Sequence, residues 1–142
     1  MRAFAAFVCV LPSIAAACIV PVVRPGDAMP GGGRVVTAAL QPGNFTINER
    51  EQVAFSARLD EDADGDGVAD GGVYLWDGGT IRVVARSGDI AEDVGILQQF
   101  SPVLFGNDRP FSGAVVNDDG EVLFSATTRA GDQFLLEAPR PR

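Results

Sequence analysis

Asn48-Glu49-Arg50-Glu51-Gln52-Val53-Ala54-Phe55-Ser56-Ala57 returns, 117 − 48 = 69 residues later, as Asn117-Asp118-Asp119-Gly120-Glu121-Val122-Leu123-Phe124-Ser125-Ala126. One pattern is written twice. Val23-Arg24-Pro25-Gly26-Asp27 and Ala85-Arg86-Ser87-Gly88-Asp89 form a second pair, at 86 − 24 = 62. A chain that repeats itself at such spacings is organised by like modules stacking or circling. That decides an architecture, not a reaction.

The repeated stretch reads as β structure. In Gly113–Ala126 two apolar runs flank a four-residue turn, where Asn117 can bond its own backbone two residues on and Gly120 can take a positive φ. After the turn Val122, Phe124 and Ala126 share one face, with Glu121, Ser125 and Thr127 on the other. Val53, Phe55 and Ala57 repeat the inward set, opposite Gln52, Ser56 and Arg58. Period-two alternation of this kind predicts half-buried strands. Glu51 stands where the second copy has Gly120, so the same backbone imposes a left-handed penalty of about 1 kcal/mol on it. Val73–Val84, with Asp77-Gly78 at its centre, predicts a second hairpin. The fold class is all-β: two antiparallel β-repeat units, arranged like propeller blades or as a sandwich, after an N-terminal signal segment. Repeat one covers about 19–80 and repeat two about 81–142.

Composition removes whole classes of chemistry. All 11 bases are Arg and there is no His, which excludes Ser-His and Cys-His dyads, imidazole metal sites and lysine Schiff bases. A net charge of −8 disfavours a nucleic-acid partner. Cys9 and Cys18 both lie in the apolar N-terminus, so the rest has no disulfide framework.

That N-terminus has the order of an export signal. Arg2 gives a positive start, Ala3 to Leu11 is an apolar run, Pro12 breaks it, and Ala15-Ala16-Ala17 offers a cleavage site. The expectation is a signal peptide over 1–17 and an exported product, periplasmic, extracellular or at the cell surface. Cleavage after Ala17 leaves Cys18 first, which opens the alternative of a lipoprotein; an uncleaved anchor is a third.

The motif Asn-x-x-Gly-x-x-x-Phe, followed by Arg-x-Gly-Asp, resembles the bacterial exported tandem-repeat family with the Asn-x-x-Gly-x-x-Ala-Phe motif. The residues are Asn48…Ala54-Phe55, Asn117…Gly120…Leu123-Phe124 and Arg86-Ser87-Gly88-Asp89. The resemblance implies propeller-like β repeats and is silent on activity. Two units cannot close a propeller alone. A fragment of a longer protein, self-association through open strand edges, and two sheets folded on each other are the alternatives.

One segment distinguishes the copies. Phe134-Leu135-Leu136-Glu137 matches Tyr74-Leu75-Trp76-Asp77 at 134 − 74 = 60, against 69 at the motif, so the first copy holds about nine extra residues. They fall in Asp60-Glu61-Asp62-Ala63-Asp64-Gly65-Asp66-Gly67-Val68-Ala69-Asp70. Function tends to sit on loops grafted onto a scaffold. Alternating Asp62, Asp64 and Asp66 can converge on one centre, Gly65 allows a sharp turn, and Asp60 and Asp70 complete a hard oxygen set suited to Ca²⁺. The string resembles thrombospondin type 3 and dockerin-like calcium loops. The competing reading is a solvated acidic hairpin loop.

Other features have simpler readings. Tyr74 and Trp76 could stack on a sugar, but cross-strand packing accounts for alternating aromatics. Arg24 with Asp27, and Arg86 with Asp89, recur once per repeat and read as turn-stabilising ion pairs. Asn44-Phe45-Thr46 is a sequon that matters only in a eukaryotic host. The expected function is a non-enzymatic exported β-repeat module with a structural or binding role, its partner a surface polymer or a protein, and its acidic loop a calcium site. The alternative is a carboxylate-dependent enzyme acting on extracellular polysaccharide.

Overall fold

A computed structural model describes residues 20–38, 45–100, 104–105, 109–110 and 114–139. The segment read as a signal peptide, both cysteines and Asn44 lie outside the described residues. Among the described residues there are only strands, turns and bends. The first sheet holds β1 (Val35–Ala38), β2 (Phe45–Ile47), β3 (Val53–Leu59), β4 (Gly71–Trp76) and β5 (Ile81–Arg86). Then come β6 (Ile90–Ala91), β7 (Gly95–Gln99), the paired β8 (Leu104–Phe105) and β9 (Arg109–Pro110), β10 (Ala114–Val116), β11 (Val122–Thr128) and β12 (Gln133–Ala138). The second sheet is built from β6, β7, β10, β11 and β12.

Each sheet is organised around one long strand. β3 has β4 on one side; on the other, β2 pairs with its start and β1 with its end. β11 repeats the plan, with β12 on one side, β10 at its start and β7 at its end. The turns before the long strands are built alike. Asn48 Oδ1 accepts from Arg50 N (3.0 Å) and Gln52 N (2.9 Å), and Asn117 Oδ1 from Asp119 N (3.0 Å) and Glu121 N (2.9 Å). Glu51 has φ 61° where Gly120 has 84°, the left-handed position expected of both.

Strand pairing corrects one offset. Phe55 faces Tyr74 and Phe124 faces Leu136, so the spacing there is 136 − 74 = 62, and the first unit's insertion is 69 − 62 = 7 residues, not nine. A two-residue slip along an alternating strand keeps every side chain on its own face, so sequence similarity alone cannot choose between the registers. The second unit restores the balance earlier. Val35 faces Leu59 and Leu97 faces Thr128, so the offset is 97 − 35 = 62 before rising to 128 − 59 = 69.

β5 begins the second repeat in sequence yet completes the first sheet, as the partner of β4. Its hairpin turns over Gly78 and Gly79, with Asp77 N donating to Thr80 O at 3.2 Å and Arg82 Nη2 2.8 Å from Asp77 Oδ2.

The two sheets pack face to face. Ala54, Val73, Leu75 and Ala85 of the first sheet meet Ala114, Val116, Val122, Phe124 and Ala126 of the second. On the far face of the first sheet, Phe55, Ala57, Leu59 and Tyr74 gather with Met29 and Val35, and Val22, Val23 and Trp76 cover them. β3 is therefore buried on both faces, whereas β11 keeps the half-buried alternation expected of both. Tyr74 stacks on Phe55 with ring centroids 5.7 Å apart, the packing role expected of it. The ring also lies over Gly72, where a Cβ would stand 2.7 Å from its hydroxyl oxygen.

The expected Arg–Asp ion pairs are replaced by backbone caps. Asp27 Oδ2 accepts from Arg24 N and Asp89 Oδ2 from Arg86 N, each at 2.7 Å. A carboxylate closing its own turn needs no guanidinium, which frees the Arg86 side chain for the acidic loop.

Candidate functional site

The acidic loop leaves β3 at Leu59 and enters β4 at Gly71. Its neck is tied by Leu59 N donating to Asp70 O (2.8 Å) and Asp70 N to Glu61 O (2.7 Å). The plain turn of the second unit has the same closing bond, Thr128 N to Asp132 O at 2.9 Å. The inserted residues thus swell from a hairpin end whose base is unchanged.

The carboxylates organise the loop backbone. Asp62 Oδ1 and Oδ2 accept from Asp66 N and Gly67 N, each at 3.0 Å, and Asp64 Oδ1 accepts from Asp66 N at 3.2 Å. Asp70 Oδ2 accepts from Ala63 N at 3.2 Å. These bonds bring one carboxylate oxygen each of Asp62, Asp64 and Asp70 within 4.8 Å of one another. Alternation of Asp with small residues makes this possible, because Gly65 (φ 67°) and Gly67 (φ 82°) turn the chain sharply.

Two of the five predicted ligands are engaged elsewhere. Asp60 Oδ1 accepts from Arg34 N at 2.7 Å, joining the loop to the residue just before β1. Asp66 Oδ1 accepts from Val68 N (2.8 Å) and Oδ2 from Gln98 Nε2 (2.8 Å). The Gln98 bond, foremost, and that of Val68 hold the Asp66 carboxyl below the usual carboxylate range.

Asp70 is the unusual member. It is 2% exposed, and its Oδ1 has no hydrogen-bond partner. Burial pushes its carboxyl above the ordinary 3.8; the Ala63 N–H opposes this, and the negative charge of Asp64 adds to it. Arg86 Nη2 lies 3.8 Å from Asp70 Oδ2 but 2.6 Å from Glu61 Oε1, so its main partner is Glu61. This pair sits beneath Gly31–Gly33, and a Cβ on Gly31 would stand 2.6 Å from Arg86 Nη1.

Residues from the second unit complete the surroundings, and spacing within the loop could not have announced them. Arg129, just past β11, places Nη2 2.7 Å from Asp64 Oδ2 and Nε 3.7 Å from Asp66 Oδ2. Gln98 comes from β7. The loop therefore bridges the two units. Its position in the repeat pattern was legible, but its partners were not, because they lie more than 30 residues away.

A second junction joins the units at the other end of the long strands. Asn48 Nδ2 donates to Asn117 O (2.8 Å) and Glu49 N to Asp118 Oδ1 (3.1 Å), so equivalent turns lie side by side. Thr46 Oγ1 accepts from Val116 N (2.9 Å) and donates to Ala114 O (3.3 Å).

The sequence matches a family of unknown function, DUF7453, over residues 12–137, nearly its whole length, and the chain belongs to that family. No curated protein and no solved structure matches it.

Proposed function

We propose that this protein is a non-enzymatic exported β-repeat module with a structural or binding role, and that its acidic loop holds Ca²⁺. The observation that carries the metal is the Asp70 carboxylate, buried with Oδ1 unpartnered beside Asp62 and Asp64. A charge in that position is costly unless something compensates it. A cation does so directly. The donors are all carboxylate oxygens, which favours a hard cation over zinc or copper, and an irregular donor set suits Ca²⁺ better than octahedral Mg²⁺. Asp62, Asp64 and Asp70 are the residues to hold it. Arg129 competes for Asp64, so the affinity is modest.

Bound calcium would join the neck of the loop to the contacts that Gln98 and Arg129 make from the second unit. The role that follows is structural: the metal stiffens the junction between repeats. Export rests on Arg2, the apolar run and Ala15-Ala16-Ala17, with lipidation at Cys18 as a variant of the same route. The resemblance to exported Asn-x-x-Gly-x-x-Ala-Phe repeat proteins points the same way.

A thermal melt with and without millimolar Ca²⁺, alongside calorimetric titration, tests the metal. Binding to the folded loop alone should raise the melting temperature in step with ln(1 + [L]/Kd), with Mg²⁺ doing less. Replacing Asp62 and Asp64 by Asn should remove the response and leave the β fold. Equal melting temperatures and no binding heat would return the loop to a solvated acidic insertion.

A further inference from the structure

The internal interface between the sheets has a second, uncovered half on each side of the molecule. The face of the first sheet that packs on the second carries Ala54, Val73 and Leu75, all 0–2% exposed. By strand register, the equivalent residues of the second sheet are Leu123, Leu135 and Glu137, since Ala54 faces Leu75 as Leu123 faces Glu137, and Ser56 faces Val73 as Ser125 faces Leu135. There Leu123 is 38% and Leu135 70% exposed, beside Val115 at 40%. The opposite side of the interface shows the converse. Ala114 and Val116, 0% and 6% exposed, press on the first sheet; their counterparts in β2, Phe45 and Ile47, are 53% and 64% exposed.

A strand edge goes with each face. β4 receives β5 along its outer edge, whereas among the described residues β12 pairs only with β11. At the offset of 62, Val20-Pro21-Val22-Val23-Arg24 is the counterpart of Arg82-Val83-Val84-Ala85-Arg86 in β5. Val22 and Val23 already cover the outer face of the first sheet, beside Met29, as Val84 and Ala85 sit against the second sheet beside Ala91. Pro21 does not obstruct pairing. Asp77 and Thr80 form a hydrogen-bonded pair, so by alternation Leu75/Arg82 is bonded and Tyr74/Val83 is not. The position of Val83, which Pro21 would take, therefore has no N–H bond to lose.

We infer that the chain associates head to tail with a second copy of itself: the Val115–Leu123–Leu135 face of one copy lies on the Phe45–Ile47 face of the next, and β12 pairs with that copy's residues 20–24. The occupant is a second copy because the chain carries both complementary surfaces and the internal interface shows how they fit. Such contacts are heterologous, forming a ring where the rotation closes and an open chain where it does not. One contact is not reproduced: Thr46, whose hydroxyl ties β2 to β10, has Val115 as its counterpart.

The test uses Ile47→Arg and Leu135→Arg in the full chain, followed by light scattering and sedimentation from about 5 to 200 µM, once in chelator and once with Ca²⁺. Both side chains are exposed in the single chain, so circular dichroism of each variant should match the parent. The parent is expected to grow in mass with concentration, and each variant to stay monomeric. Mixed one to one, the variants should form a dimer and nothing larger, because one intact pair of faces survives between them. A monomeric parent at 200 µM, variants that still assemble, or a mixture that stays monomeric would overturn the proposal; the last would indicate like faces meeting. The outcome is expected in chelator as well, so it stands or falls apart from the calcium reading.

Discussion

The two units share turns, caps and strand order, yet corresponding positions meet opposite environments. Ala54 in the first unit is 0% exposed, while the larger Leu123 at the equivalent place in the second is 38% exposed. Phe45 is exposed where the smaller Ala114 is sealed. Burial here follows a strand's place in the stack rather than its own composition. Apolar residues stand on surfaces that only a neighbouring unit would cover.

The largest effect should come from the shared core. Phe124 packs between the sheets and tilts against Phe100, ring centroids 6.0 Å apart. Phe124→Ala should cost about 3–5 kcal/mol, read from the denaturation midpoint. Phe55→Ala should fall at about 3 kcal/mol or below, because its cavity opens toward Phe45, its exposed partner across β2. A greater loss at Phe55 would mean that the outer face, not the junction, holds the fold.

The loop that only the first unit carries gives the next contrast. Folded Asp70 keeps its proton to a higher pH than it does in the unfolded chain. The native state therefore binds more protons in the window above 3.8, and this group's stabilisation is present below that window and lost as pH rises through it. Asp66 acts in reverse: its contribution is present above 3.8 and lost as pH falls through its lowered value. Asp70→Asn should raise stability at pH 7 in chelator, on the order of 1 kcal/mol, and steepen the acid limb of Tm against pH, because the group whose native form holds its proton no longer offsets acid unfolding. It should also abolish the calcium response. A lower Tm in chelator would show that the Asp70 charge is already compensated without metal.

The smallest effect compares the two Asn turns. Glu51→Gly should stabilise by about 1 kcal/mol, and Gly120→Ala should destabilise by a similar amount, since both positions are left-handed. Equal and opposite shifts in urea midpoint would establish that the turns are interchangeable.

Much of this was legible in the chain. Asn at the head of each turn, Gly120 at its end, and the alternation through Phe55 and Phe124 announce two β units, because those preferences act within a few residues. The convergence of Asp62, Asp64 and Asp70 was legible for the same reason. Asp60 and Asp66 stand outside that group of three, and the partners that hold them, Arg34 and Gln98, lie 26 and 32 residues away. Arg86 looked like half of a turn ion pair, yet its guanidinium belongs to Glu61, 25 residues away. Local spacing cannot show which long side chain will reach across a sheet.

β5 carries a consequence for how this molecule comes apart. It opens the second repeat in sequence and finishes the first sheet in space, so the repeat boundary and the mechanical boundary do not coincide. A cut at Gly79 divides the chain into two pieces, one lacking a sheet edge of its own and the other carrying the strand that supplies it. The units should therefore unfold in a single transition rather than one after the other, and a nick at that hairpin should leave the halves clasped until both let go.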